Sequence, residues 1–221
     1  MAAREYGQFD GITRAVELIG ERWALLIVRD LLVGPRRYGE LAAGLPRIPS
    51  NILATRLKEL QAAGVIRRAP RSRLIIYELT AYGRELEPVV LSLGAWGFKA
   101  MGDPRDEQIV TPDAMTMTLR TAFRESVAAS LPATAYLARF GPAELLIRVD
   151  GTSLDVKRGD GPADLAFVAG PGIHRLISGE LAPDRATCSG ASRAPFTSPP
   201  DPGVSRTLDT QMSAPYRVKC T

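Results

Sequence analysis

The chain has 221 residues, 45% hydrophobic and 24% charged, enough for one large or two small domains that each bury a core. Its formal net charge of +4 is unevenly placed: residues 1–102 carry 15 Lys+Arg against 10 Asp+Glu, and the remainder 13 against 14. A basic module joined to a nearly neutral one is expected. No apolar run approaches a membrane span and residues 1–11 lack the apolar centre of a secretory signal, so a cytoplasmic protein with no membrane contact is expected. His174 has no Cys, Asp or Glu at ligand spacing, which argues against a metal site, and Cys188 and Cys220 read as unpaired thiols. Neither a Gly-rich phosphate loop nor a GxSxG nucleophile motif is present, so neither an enzyme nor a cofactor is expected.

In chain order, Ile12, Val16 and Ile19 recur at helical spacing, and Gly20 ends a first helix over residues 11–19. Residues 21–33 are apolar on nearly every side and predict a central core helix. Gly34-Pro35 breaks it, a third helix follows over 38–45, and Pro46 stops that one. Ser50 is expected to cap a fourth helix that runs to Ala63 and closes at Gly64. Its wheel stacks Leu53, Leu57 and Leu60 on one side, flanked by Ile52 and Arg56, with Asn51, Ala54, Thr55 and Lys58 on the other. An amide, a hydroxyl, a methyl and a cation on one face suit base edges and phosphates, though such a face is also common on any solvated helix.

The segment that follows supports the first reading. Residues 65–68 and 74–79 are β-prone runs joined by Ala69-Pro70-Arg71-Ser72-Arg73, a hairpin whose tip is basic. Between Arg47 and Arg73 there are seven basic residues and one acid, Glu59, the balance a polyanion demands. Helix then hairpin is the layout of a winged helix-turn-helix, and double-stranded DNA is the expected partner. After Thr80 an apolar helix over 81–101 is expected, kinked or broken near Pro88.

The stretches ITRAVELIGERWALLIVRDLL (12–32), GPRRYGELAAGL (34–45), IPSNILATRLKELQAAG (48–64) and YELTAYG (77–83) resemble the HxlR-type transcriptional regulators of bacteria over residues 10–100. The resemblance implies a homodimer on a palindromic operator, held together by the helix after Thr80, that represses or activates nearby genes, repression being the expected direction. Positions implied to meet DNA are Arg36, Arg37, Tyr38, Ser50, Asn51, Thr55, Arg56 and Lys58, with Arg67, Arg68, Arg71 and Arg73 of the wing. One departure matters: where many members carry Cys-Pro before the first helix, this chain has Asp10-Gly11, and a carboxylate cannot act as a thiol sensor.

Residues 103–112 are polar and contain two prolines, and read as a linker between a domain over 1–102 and a second over 113–185. There, 115–120 alternates as MTMTLR and predicts a strand. Further strands are expected over 135–140, 144–149 and 152–157, the last two joined by Asp150-Gly151, then over 165–168, with a closing helix over 172–181. The fold class is therefore α+β, a mainly helical winged domain followed by a small antiparallel-sheet domain. The second pattern is similar to sterol carrier protein type-2-like domains, which can enclose an apolar cavity, so the resemblance implies either a small-molecule effector site or a dimer-stabilising β module that binds nothing. Phe123, Tyr136, Phe140, Leu146 and Phe167 are candidate lining residues, with Leu137 and Ile177, and each is equally an ordinary core residue. An alternative function is carriage of an apolar small molecule, the winged helix then serving protein contacts. Residues 186–221 are rich in Ser, Thr and Pro and read as a disordered tail.

Overall fold

The computed structural model describes residues 5–102, 105, 107–169, 173 and 175. The closing helix expected over 172–181, the tail, and His174, Ile177, Cys188 and Cys220 lie essentially or wholly outside them. The chain divides into two compact units, one of residues 1–98 with 113–121, the other of the remaining residues.

In the first unit, α1 (Gly11–Ile19) starts on Asp10, whose carboxylate accepts from the backbone of Ile12 (2.8 Å) and Thr13 (3.0 Å) and from the Thr13 hydroxyl (2.6 Å). These bonds hold the Asp10 carboxyl below its usual range, the Thr13 hydroxyl first among them. The residue in the expected sensor position is thus a helix cap. Next come α2 (Ala24–Val33), α3 (Tyr38–Gly44) and α4 (Ser50–Ala62). Ile27, Val28 and Leu31 of α2 meet Leu41, Leu53, Leu57 and Leu60 in one buried cluster, so α2 is the core helix its composition demanded. The fourth helix has Pro49 and not Ser50 at its N-cap position, with extended backbone (φ −63°, ψ 141°) and no side-chain hydrogen bond to the first turn, and Ser50 is the first helical residue.

The wing is an antiparallel pair, β1 (Ile66–Arg71) and β2 (Leu74–Leu79), in register Ile66 opposite Leu79 through Arg71 opposite Leu74. Only Ser72 and Arg73 form the turn, with Ser72 at φ 57°, so the strands extend further than the sequence suggested. Gly83 lies in α5 (Ala81–Arg84), where a Cβ would stand 2.0 Å from the Val65 carbonyl; only glycine lets the two segments approach this closely. The expected long helix is broken before Pro88, giving α5 and α6 (Glu87–Phe98), with Pro88 in the first turn where no N–H is required.

The strand expected over 115–120 is instead a helix, α7 (Pro112–Ala122). Thr-Pro-Asp at 111–113 is a helix start, and it outweighs a short alternation that a helix accommodates equally well. Most of this helix, residues 113–121, packs with the first unit, whereas the sequence placed 113 onward in the second.

The second unit contains α8 (Glu125–Ala128), β3 (Thr134–Phe140), β4 (Ala143–Asp150), β5 (Ser153–Arg158) and β6 (Leu165–Ala169). The sheet runs β5-β4-β3-β6, antiparallel except for the parallel β3–β6 pair. Register puts Tyr136, Ala138, Phe140, Leu145, Ile147, Val156 and Phe167 on one face, while Arg139, Glu144, Leu146, Arg148, Asp155 and Lys157 share the other. Across that second face, Arg139 pairs with Glu144 (2.9 Å).

Candidate nucleic-acid interface

Helix α4 is held against the core by Leu53, Leu57 and Leu60, which turns the opposite surface outward. Ser50, Asn51 and Lys58 are exposed, and Thr55 is half-buried with its hydroxyl donating to the Asn51 carbonyl (2.9 Å). The Asn51 amide and the Lys58 ammonium therefore present polar groups that a base edge or a phosphate can meet. Tyr38, at the start of α3, donates its hydroxyl to the Ser50 carbonyl (2.8 Å), pinning the first turn of α4 to the preceding helix. The backbone N–H of Arg37 donates to Glu40 (2.6 Å), which leaves its guanidinium exposed.

On the wing, Arg67, Arg68, Arg71 and Arg73 are all exposed. Arg67 and Arg71 share one face of the hairpin and Arg68 the other, because strand side chains alternate. Arg67 is tied to its cross-strand partner Glu78 (2.7 Å), a surface pair whose attraction solvent largely screens. Arg68, Arg71, Arg73 and Lys58 make no ion pair among the described residues, so their positive charge is available to an incoming polyanion.

Two arginines of the expected set point elsewhere. Arg36 is turned inward, donating to both carboxylate oxygens of Asp113 (2.9 and 2.7 Å), with side-chain exposure of 14% for the arginine and 2% for the aspartate. The hydrogen bond to Asp113 is the first cause holding the Arg36 guanidinium above its ordinary pKa. Arg56 pairs with Glu21 (2.9 Å) and with Glu59, which fastens α4 to the turn before α2. Both cations serve the domain's own packing in this arrangement. Sequence reasoning missed their partners: Asp113 lies 77 positions from Arg36, and the only signal for it was the Thr-Pro-Asp helix start.

Nearby, Asp30 of α2 is buried, takes Arg29 as its partner (2.8 Å), and has an Oδ2 that accepts no hydrogen bond among the described residues. Burial pushes its carboxyl up to about 6, opposed mainly by the charge of Arg29.

Two apolar surfaces of this unit are uncovered. Ile12 and Val16 of α1 are exposed, as are Val89, Leu93 and Trp96 of α6, which buries none of its residues. Of the candidate lining residues in the second unit, Tyr136, Phe140 and Phe167 share a sheet face, and the Phe140 and Phe167 rings meet edge to face at 6.2 Å. Leu137 and Leu146 are on the other face, so they do not line the same space as those aromatics, and Phe123 lies between α7 and α8. Among the described residues no group of three or more His, Cys, Asp or Glu could hold a metal ion, and no helix is long and apolar enough to cross a membrane.

Comparison with known proteins gives a match to the HxlR-like helix-turn-helix family over residues 18–104. The HTH-type transcriptional regulator Rv3095 of Mycobacterium tuberculosis is 38% identical over 118 residues, 51% of this chain and 69% of the relative. YvaP, an HTH-type transcriptional regulator of Bacillus subtilis, is 38% identical over 86 residues, 38% of this chain and 80% of the relative. A crystal structure of the regulator YtcD is similar at 35% identity and a TM-score of 0.40, covering 42% of this chain and 98% of that one.

Proposed function

Because the chain belongs to the HxlR-like helix-turn-helix family of transcriptional regulators, we propose that it is a cytoplasmic repressor that binds a palindromic operator in double-stranded DNA as a homodimer. The observation that carries this reading is that Asn51 and Lys58 on α4 are exposed, as are Arg68, Arg71 and Arg73 on the wing that follows it, cations without an ion pair among the described residues. Helix α4 enters the major groove, where Asn51 pairs with an adenine edge and the Thr55 methyl meets a thymine methyl. The wing arginines take phosphates or the adjacent minor groove. The uncovered faces of α1 and α6 support the dimer, since a second copy would cover them, and a palindromic operator calls for two α4 helices on successive grooves.

Replacing Arg71 and Arg73 with Ala is expected to weaken binding to every duplex and to lower the slope of log K against log salt by about 2, in fluorescence titrations. An unchanged slope would remove the wing tip from the interface.

We further propose that the second unit, as a sterol-carrier-like module, receives an apolar effector on the sheet face of Tyr136, Phe140 and Phe167. That face supports the reading because it gathers aromatic and aliphatic side chains. The effector is expected to raise the melting temperature of the full chain and to release DNA. A broad panel of apolar compounds that shifts neither quantity would leave this unit a structural role.

A further inference from the structure

Helix α7 packs with the DNA-reading unit although the chain on both sides of it belongs to the other unit. Both ends are fastened. In its first turn Asp113 takes the bidentate bond from Arg36; in its last, Arg120 donates to the Leu32 carbonyl (3.2 Å) and pairs with Glu87 (3.4 Å). Thr121 sits against Gly94 of α6, where a Cβ would stand 3.1 Å from its hydroxyl. Arg36 is also part of the wing. Its N–H donates to the Tyr77 carbonyl (3.0 Å), and the Tyr77 N–H donates to its carbonyl (2.7 Å), so this one residue is bridged antiparallel to β2. Tyr77 in turn stands opposite Arg68 across the hairpin. A continuous path therefore runs from a buried carboxylate on α7, through a half-buried guanidinium and its backbone, to the strand position opposite a cation of the wing.

We propose that Asp113 is a positioning residue for the DNA interface and that α7 is a latch: docked, it fixes the wing for DNA; released, it frees Arg36 and loosens the root of the hairpin. The part of this that concerns DNA rests on the function proposed above. The fork of a guanidinium on a carboxylate holds distance and angle together, which a single contact cannot do. Asp113 is buried and Arg36 half-buried, so losing the pair would leave a carboxylate with little water to replace the guanidinium, which suits a two-position device. Because the latch helix is continuous with the second unit at each end, any event there that pulls on residue 112 or 122 acts on Asp113 or Arg120 directly.

The test uses the full chain carrying Asp113→Ala, Asp113→Asn or Arg120→Ala, with amide hydrogen exchange and titration of a short random-sequence duplex over a range of salt. Asp113→Ala is expected to speed exchange at the Arg36 and Tyr77 amides about tenfold while Ile27 and Val28 in the core keep their protection. Its salt slope should fall by about 1, as a displaced wing loses a phosphate contact. A purely structural role would lower the active fraction and leave that slope intact. Asp113→Asn, which keeps one acceptor, should fall between Ala and the native chain, and Arg120→Ala should move the same amides from the far end of the helix. Faster exchange confined to 113–121, or a native salt slope in Asp113→Ala, would overturn the latch. A native chain with no affinity for the duplex would sink the DNA-binding reading instead, and the exchange at Arg36 and Tyr77 would still decide the latch.

Discussion

Helices α2, ALLIVRDLLV, and α6, EPVVLSLGAWGF, are both strongly apolar, yet α2 buries five residues and α6 buries none. Composition thus gives each helix the same reason to leave water and the fold satisfies only one of them. In α2 the apolar side chains are matched by α3, α4 and the wing root, which close around Ile27, Val28 and Leu31. In α6 only Leu86, just before it, and Val90 lean on that cluster, and the outer row of Val89, Leu93 and Trp96 faces away, with Trp96 69% exposed. Contiguous apolar surface of this kind marks a site of association. Of two helices that look alike in the sequence, only α2 is used to hold its own subunit together, and the homodimer proposed above would give α6 its partner.

The largest effect expected is the opposite response of the two helices to truncation. Leu31→Ala should cost about 2–5 kcal/mol of unfolding free energy in urea titrations, because it leaves a cavity in a closed cluster. Leu93→Glu with Trp96→Glu should leave the melting temperature of the subunit nearly unchanged while shifting the mass seen in sedimentation from dimer to monomer. A variant that stays dimeric would show that α6 is not the joint.

What the sequence conveyed follows the range of the interactions involved. The short loops, the stops at Pro46 and Gly64 and the Leu53–Leu57–Leu60 spacing are local, so α3, α4 and the wing were legible where they stand. Arg36 and Arg71 are indistinguishable as letters, because the carboxylate that turns one inward is 77 residues away. Helix α7 was misread for a different reason: MTMT fits a two-residue period, and over so short a run a helix start is the better guide. Leu146 could not be assigned a face in advance either. Register across the β3–β4 turn decides it, and a shift of one residue reverses every side chain.

The core of α2 also holds an exception to its own apolar character, and this yields a smaller, more specific prediction. Asp30 is buried beside Arg29, with Asp113 and Arg36 acting on it from α7 and the wing root, and a Cβ at Gly44 would stand 2.8 Å from its Oδ2. Its carboxyl is raised from 3.8 to about 6, burial being the main cause. A folded-state pKa above the unfolded one means that the folded chain binds this proton more tightly. The stabilisation is complete below about 4 and is lost as pH rises through 6, so ionised Asp30 costs up to ~3 kcal/mol at neutral pH. Asp30→Asn removes the titration and keeps the shape. Relative to the native chain, it should therefore gain stability between pH 4.5 and 7.5, measured by urea unfolding at each pH. A difference between the two that stays constant over this range would show that Asp30 keeps an ordinary acidity despite its burial, and that Arg29, helped by Arg36, offsets the loss of water around the charge.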